Sequence, residues 1–142
     1  MIANSAGALA TRGIEAFNAA DWDALRELCS PSVTYTETGT GLRLEGIDNC
    51  DVAWHAWRTA MPDLTGTVTR TLEDGDLAAI EIRWVGTQTG PLATPDGEIP
   101  PTGRRMEITS TQWVTVRDGH TQMIDHHLDV MGIMSQLGLL PG

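Results

Sequence analysis

The sequence predicts an α+β fold: a curved antiparallel sheet with about three N-terminal helices on its concave side, forming a cone around an apolar pocket. Three observations predict it. Apolar residues recur at three- and four-residue steps through the first 61 positions. From Leu64 onward the pattern changes to β-prone runs separated by Gly-containing turns. Helices and strands come in blocks and do not alternate, which points away from βαβ units. All 142 residues are read as one domain, with no internal repeat, linker or low-complexity segment.

Residues 4–20 read as the first helix, with Ala6, Ala10, Ile14 and Phe17 on one face and Asn4 or Ser5 as its cap. "NAADWDALRELCSP" gives a second, short helix. Asp21 is its N-cap, Trp22, Leu25 and Leu28 face inward, and Pro31 follows its end. "SVTYTETGTGLRLEG" is a strand around Val33–Thr36 followed by a Gly-rich turn. "IDNCDVAWHAWRTAMPD" is a third helix with Ala53, Trp54, Trp57 and Met61 as its apolar stripe, ended by Pro62. Next come "LTGTVTRTLEDGD" and "LAAIEIRWVG", joined by a turn at residues 74–76. "RRMEITSTQWVTVRDGH" then leads into "TQMIDHHLDV" through an Asp-Gly tight turn. The closing "GIMSQLGLLPG" places Ile133, Met134 and Leu137 on one side, as a helical turn covering an opening.

A net charge of -10 argues against a nucleic-acid backbone as partner and against an anionic membrane surface. Two cysteines without CxxC or Cys/His spacing suggest neither a disulfide framework nor a structural zinc. The first 13 residues lack a basic start and a long apolar stretch, and no apolar run approaches the ~20 residues of a membrane span. The expectation is a cytoplasmic protein. Five tryptophans stand against one Phe and one Tyr. Several of them could line a pocket for a flat ligand, although any single one is more simply a core filler.

"GTQTGPLATPDGEIPPTGRR" joins two strands with four prolines and four glycines in 20 residues. Hairpin connections usually need about 2–5 residues. This one reads as a lid, as an arm reaching a neighbouring subunit, or as a tolerated surface insertion.

"GTQTGPL", "IPPTGRR", "RDGHTQMIDHHLDVMGIMSQLG" and "AMPDLTGTV" together resemble the SnoaL-like polyketide cyclases of the NTF2-like superfamily, from Ala16 to Gly138. The resemblance implies an NTF2-like cone with a deep apolar pocket. It also implies ring closure by intramolecular aldol condensation without metal or organic cofactor, and a homo-oligomer, dimer or tetramer, paired through the outer faces of the sheets. The Asp that serves the cyclases as general acid/base falls on His126 here. A later Asp of the family matches Asp129, and two family histidines fall on Gln112 and Gln88. The scaffold is kept and the polar residues are exchanged.

Strand alternation then separates the two adjacent histidines. Ile124, His126 and Leu128 share one face; Asp125, His127 and Asp129 share the other. If the apolar pair points into the cone, His126 does too, and His127 lies outside. An imidazole in an apolar pocket suits abstraction of a proton next to a carbonyl. Burial lowers its pKa and favours the neutral, basic form. Gln112, Gln88 and Tyr35 are candidate hydrogen-bond donors to an enolate oxygen. Trp54, Trp57 and Trp113 are candidate stacking surfaces. Asp125 is the alternative base if the strand is shifted by one residue. No metal is expected, because adjacent strand histidines point opposite ways; His120 falls in a hairpin turn, and His55 reads as a surface i,i+4 partner of Asp51.

Three functions compete at this level. One is a cyclase or isomerase that enolises a polyketide-like ketone. Another is a hydrolase or dehydratase pairing His126 with Glu37, Asp51 or Glu81. The third is a non-catalytic ligand-binding or assembly module, in which His126 is a satisfied core residue.

Overall fold

The computed structural model describes residues 4–140. The ends of the two terminal readings, residues 1–3 and 141–142, lie outside them. Helix α1 (Ala6–Asn18) is capped by the Ser5 side chain, which accepts from the Ala8 amide. Helix α2 (Trp22–Leu28) is capped by Asp21. Strand β1 (Cys29–Thr38) follows at once and pairs with the short β2 (Arg43–Glu45). Pro31 follows the end of α2, as its position predicts, and lies within β1. Helix α3 (Ile47–Ala60) ends one residue before Met61, whose amide bonds back to the Trp57 carbonyl.

Strands β3 (Thr65–Asp74) and β4 (Leu77–Thr87) form the first long hairpin. The short β5 (Leu92–Thr94) and β6 (Gly97–Ile99) pair with each other inside the proline-rich connection. Strands β7 (Arg105–Arg117) and β8 (His120–His127) form the second long hairpin, and α4 (Val130–Gln136) closes the described chain. The final segment is thus a fourth helix, with Asp129 as its N-cap accepting from the Gly132 amide.

The main sheet runs β2-β1-β8-β7-β4-β3. All its pairs are antiparallel except β1 with β8, which are parallel. The expected purely antiparallel sheet is therefore a mixed one. A parallel pair requires a long crossover, and here everything between β1 and β8 serves as that crossover. No local turn signal announces such a pairing.

Strands β4 and β7 alternate over most of their length. In β4 the residues Ala78, Ile80, Ile82 and Trp84 point inward; in β7, Met106, Ile108, Ser110, Val114 and Val116 do so. These side chains and the inner faces of α1 and α4 make one core, with Leu9, Ile14, Phe17, Ile133 and Leu137 fully enclosed. A smaller core holds Cys29, Val33, Tyr35, Cys50 and Ile124. The proline-rich connection is folded onto its own chain: Leu92 is buried in the main core, and the Thr89 and Gly90 amides both bond to the Ala60 carbonyl at the end of α3.

Candidate active site

A cavity opens between the inner face of the sheet and the helices. Its wall is almost wholly apolar, contributed by α1, α2, α3, β1, β4, β7, β8 and α4. Four polar side chains interrupt it: Tyr35, Gln112, Thr121 and His126. Their placement follows from register. Gln112 on β7 pairs directly with His126 on β8, and His126 pairs with Glu37 on β1. One row of side chains thus crosses three strands on the inner face.

His126 is 7% exposed and has both ring nitrogens bonded to side chains. Nδ1 lies 2.8 Å from the Tyr35 hydroxyl, and Nε2 lies 2.8 Å from Ser110 Oγ. The Tyr35 hydroxyl donates to Glu37 Oε2 at 2.7 Å, and Thr40 donates to Oε1 of the same carboxylate at 2.8 Å. At the other end, Trp84 Nε1 donates to Ser110 Oγ at 2.8 Å.

The chemistry of the two ends gives this chain a direction. An indole N–H can only donate, and an ionised carboxylate can only accept. Ser110 therefore accepts from Trp84 and has its own proton free for His126 Nε2. Nε2 is then the lone-pair nitrogen and Nδ1–H donates to Tyr35, which donates to Glu37. With Glu37 ionised, the resting imidazole is the neutral Nδ1–H tautomer. Burial, with a smaller contribution from the neighbouring His127, lowers the His126 pKa from 6.5 to about 4, which keeps the ring neutral. Burial, then the charge and hydrogen bond of Glu37, raise the Tyr35 pKa well above its ordinary value, so the phenol keeps its proton.

Gln112 also lines the cavity, and its amide makes no hydrogen bond to another described residue. It is a donor and acceptor at the cavity wall, one strand away from the imidazole. Trp54 and Trp57 line the cavity from α3.

Three candidates lie elsewhere. Asp125 is on the opposite face of β8, where it accepts a 2.6 Å bond from Thr36; the shifted register that would turn it inward does not occur. Trp113 is 40% exposed on the outer face, because its neighbour Gln112 takes the inward phase of β7. Gln88 is fully buried but outside the cavity wall. Its amide nitrogen donates to the carbonyls of Gly90, Ile99 and Pro100, and its oxygen accepts from the amide and hydroxyl of Thr102. All its hydrogen-bonding capacity holds the proline-rich connection together. Of the three carboxylates considered for His126, Asp51 is engaged by Arg26 and Glu81 by Arg70, whereas Glu37 reaches the imidazole through Tyr35. His55 sits beside Asp51, as its spacing predicts, at 3.3 Å.

Trp84 and Ser110 were not singled out from the sequence. Both carry the inward phase of their strands, and a polar residue on an otherwise apolar inward phase was the available signal. Among the described residues no group of three or more His, Cys, Asp or Glu side chains is placed to hold a metal ion. No helix among them is long and apolar enough to cross a membrane.

Comparison with known proteins agrees with this architecture. The sequence profile of the SnoaL-like polyketide cyclases matches residues 8–137. IdmH from Streptomyces antibioticus, provisionally described as a polyketide cyclase, is 29% identical and superposes with a TM-score of 0.76 over 92% of this chain and 96% of its own. TsrD from Streptomyces laurentii is 25% identical, with a TM-score of 0.79 over 93% of each chain. A protein of ketosteroid isomerase-like fold from Catenulispora acidiphila DSM 44928, crystallised with trimethylamine, is 17% identical and has a TM-score of 0.77 over 93% of each chain; at that identity it speaks for the fold alone. A search of curated protein sequences returns no match.

Proposed function

The chain belongs to the SnoaL-like polyketide cyclase family, and from that premise we propose that it is a cofactor-independent enzyme that enolises a polyketide-like ketone and closes a ring by an aldol-type step. The observation that carries the reading is a buried imidazole in the wall of an otherwise apolar cavity, with both ring nitrogens hydrogen-bonded to hydroxyl groups.

His126 is the base in this reading. The Ser110 hydroxyl proton turns off Nε2 by rotation about one C–O bond, and Nε2 takes the proton next to the carbonyl. A base whose pKa is near 4 is weak, which matches a substrate whose proton is already acidified by flanking carbonyls. The enolate oxygen accepts from the Gln112 amide, cross-strand from the base, in a site where water is scarce and such a bond is worth more than in solvent. Trp54 and Trp57 supply flat apolar surface for a planar substrate. Return of the proton to the aldol oxygen restores the resting site.

Exposed Leu72, Trp113 and Met123 on the outer face of the sheet support the pairing of two copies that the family implies. Light scattering on the purified protein tests it, with a monomeric mass as the adverse result.

The central test uses α-deuterated β-tetralone, a benzo-fused cyclic ketone whose benzylic α position is acidified by both the carbonyl and the ring. The protein should accelerate loss of its α-deuterium in water, as followed by NMR. His126→Gln should abolish that acceleration while the circular dichroism spectrum is retained. An unchanged rate in the variant removes His126 as the base.

A further inference from the structure

Glu37 is a carboxylate that is 5% exposed, and among the described residues it has no cationic partner at ion-pair distance. Burying an uncompensated carboxylate is costly, and two hydroxyl donors offset only part of that cost. An apolar core gains nothing from such a group. A carboxylate joined to an imidazole through one hydroxyl does, however, give a proton taken up by the ring a second place to go.

We propose that Glu37 is the resting place of the substrate proton, reached from His126 through the Tyr35 hydroxyl. The proposal rests on the reading of His126 as the base and extends it. The step balances as follows. The substrate C–H bond breaks and its electron pair stays on the substrate as enolate, while the proton bonds to His126 Nε2. The Nδ1 proton passes to the Tyr35 oxygen as the Tyr35 proton passes to Glu37 Oε2. His126 ends as the neutral Nε2–H tautomer, Tyr35 as a neutral phenol and Glu37 as the neutral acid. No imidazolium persists. The buried negative charge of Glu37 is exchanged for that of the enolate, so the interior carries one negative charge before and after.

The distances needed are already present at rest, 2.8 Å from Nδ1 to the phenol oxygen and 2.7 Å from there to the carboxylate. The reverse polarity is also accommodated. Once Nε2 carries the proton it donates to Ser110 Oγ, while Nδ1 accepts from Tyr35 and Tyr35 accepts from protonated Glu37. Thr40 donates to Glu37 Oε1 in both states. The groups facing His126 are Tyr35 and Glu37 from β1, Ser110 and Gln112 from β7, and Trp84 from β4. The apolar residues of α1, α2, α3 and α4 that line the cavity add no charge. His127, next in sequence, lies on the opposite face. Among the described residues, Glu37 is thus the one carboxylate in contact with this hydrogen-bond chain.

Deuterium loss from α-deuterated β-tetralone separates this proposal from the function it builds on. Glu37→Gln and Tyr35→Phe should each slow the reaction by about 100-fold, the usual worth of a positioned proton acceptor. Glu37→Asp should recover a measurable part of the loss. In mixtures of light and heavy water, release of tritium from the α-tritiated ketone should fall along a bowed line in wild type, as more than one proton moves, and along a straight one in Tyr35→Phe. If Glu37→Gln and Tyr35→Phe keep the wild-type rate while His126→Gln loses it, the relay is wrong and His126 acts alone. If His126→Gln also keeps the rate, both readings fall. Should the variants fold poorly, 15N NMR of wild-type His126 decides. The Nδ1–H tautomer at neutral pH should give way to the neutral Nε2–H tautomer when the site takes up one proton in acid. An imidazolium with both nitrogens protonated, appearing as that first proton is taken up, would overturn the proposal.

Discussion

Gln112 and His126 stand directly opposite each other on β7 and β8, with both side chains on the cavity wall. Directly paired residues place their Cβ atoms about 4.5–5.5 Å apart, so one small substrate can touch both. The imidazole is fully engaged within the protein, whereas the Gln112 amide is engaged by no described residue. In the proposed reaction the division of labour follows: one member moves the proton and the other meets the ligand.

Gln112→Leu should therefore separate turnover from stability. It keeps the approximate volume and removes a donor that holds nothing together in the resting protein. The expected loss in kcat is about 100-fold or more, the scale for removing one oxyanion donor. The unfolding midpoint should stay close to wild type. Steady-state kinetics on a turned-over ketone and thermal denaturation check the two halves, and a large fall in Tm would show that Gln112 is structural after all.

Gln88 should behave in the opposite way. Gln88→Leu leaves the carbonyls of Gly90, Ile99 and Pro100 and the donors of Thr102 without their shared partner. Each orphaned buried group costs about 1–3 kcal/mol, less where water reaches it, so a total loss of about 3 kcal/mol is expected by urea denaturation. Under conditions where the variant is still folded, deuterium loss from the ketone should proceed at the wild-type rate.

These contrasts show what was legible in the sequence. Period-two alternation placed His126 inside and His127 outside, and the same rule, applied to β7, sends Trp113 outward once Gln112 is inward. Grouping the tryptophans by residue type overrode that rule. Asp125 fails for the same reason, since the inward phase of β8 belongs to Ile124 and His126. Glu37, Ser110 and Trp84 share inward phases with Tyr35, Ile108 and Ile82, so their burial was readable. Their joining into one chain was not, because it depends on the parallel pairing of β1 with β8, across some 90 residues. The role of Gln88 was hidden as well, since a loop that folds around one amide carries no period.

His126 also makes stability depend on pH. In the unfolded chain its pKa is near 6.5, and in the fold it is about 4. Between these values the unfolded state binds a proton that the folded state refuses, so stability rises with pH from about 4 to about 6.5 and this contribution is flat on either side. At 1.36 kcal/mol per pH unit the span amounts to about 3 kcal/mol. Unfolding free energies at pH 7.5 and pH 4.5 should therefore differ more in wild type than in His126→Gln, by about 3 kcal/mol or somewhat less. Equal differences in the two proteins would mean that His126 protonates freely in the folded state.

The far end of the hydrogen-bond chain depends on a glycine. Gly66 on β3 pairs with Trp84 on β4. A Cβ at Gly66 would lie 2.7 Å from one atom of the indole ring and 2.9 Å from two others. The indole cannot simply retreat, since Phe17 packs edge-on against it at 5.6 Å and its N–H is committed to Ser110. Gly66→Ala should therefore shift Trp84 and loosen its bond to Ser110, at about 1–3 kcal/mol for an overpacked core position. The local signature is sharper than the energy. In 1H–15N spectra the Trp84 indole N–H should move and exchange faster with solvent, and His126 Nε2, losing the oriented Ser110 donor, should shift with it. If the indole resonance stays in place, the glycine is not what seats Trp84, and the tautomer of His126 is fixed by Tyr35 and Glu37 alone.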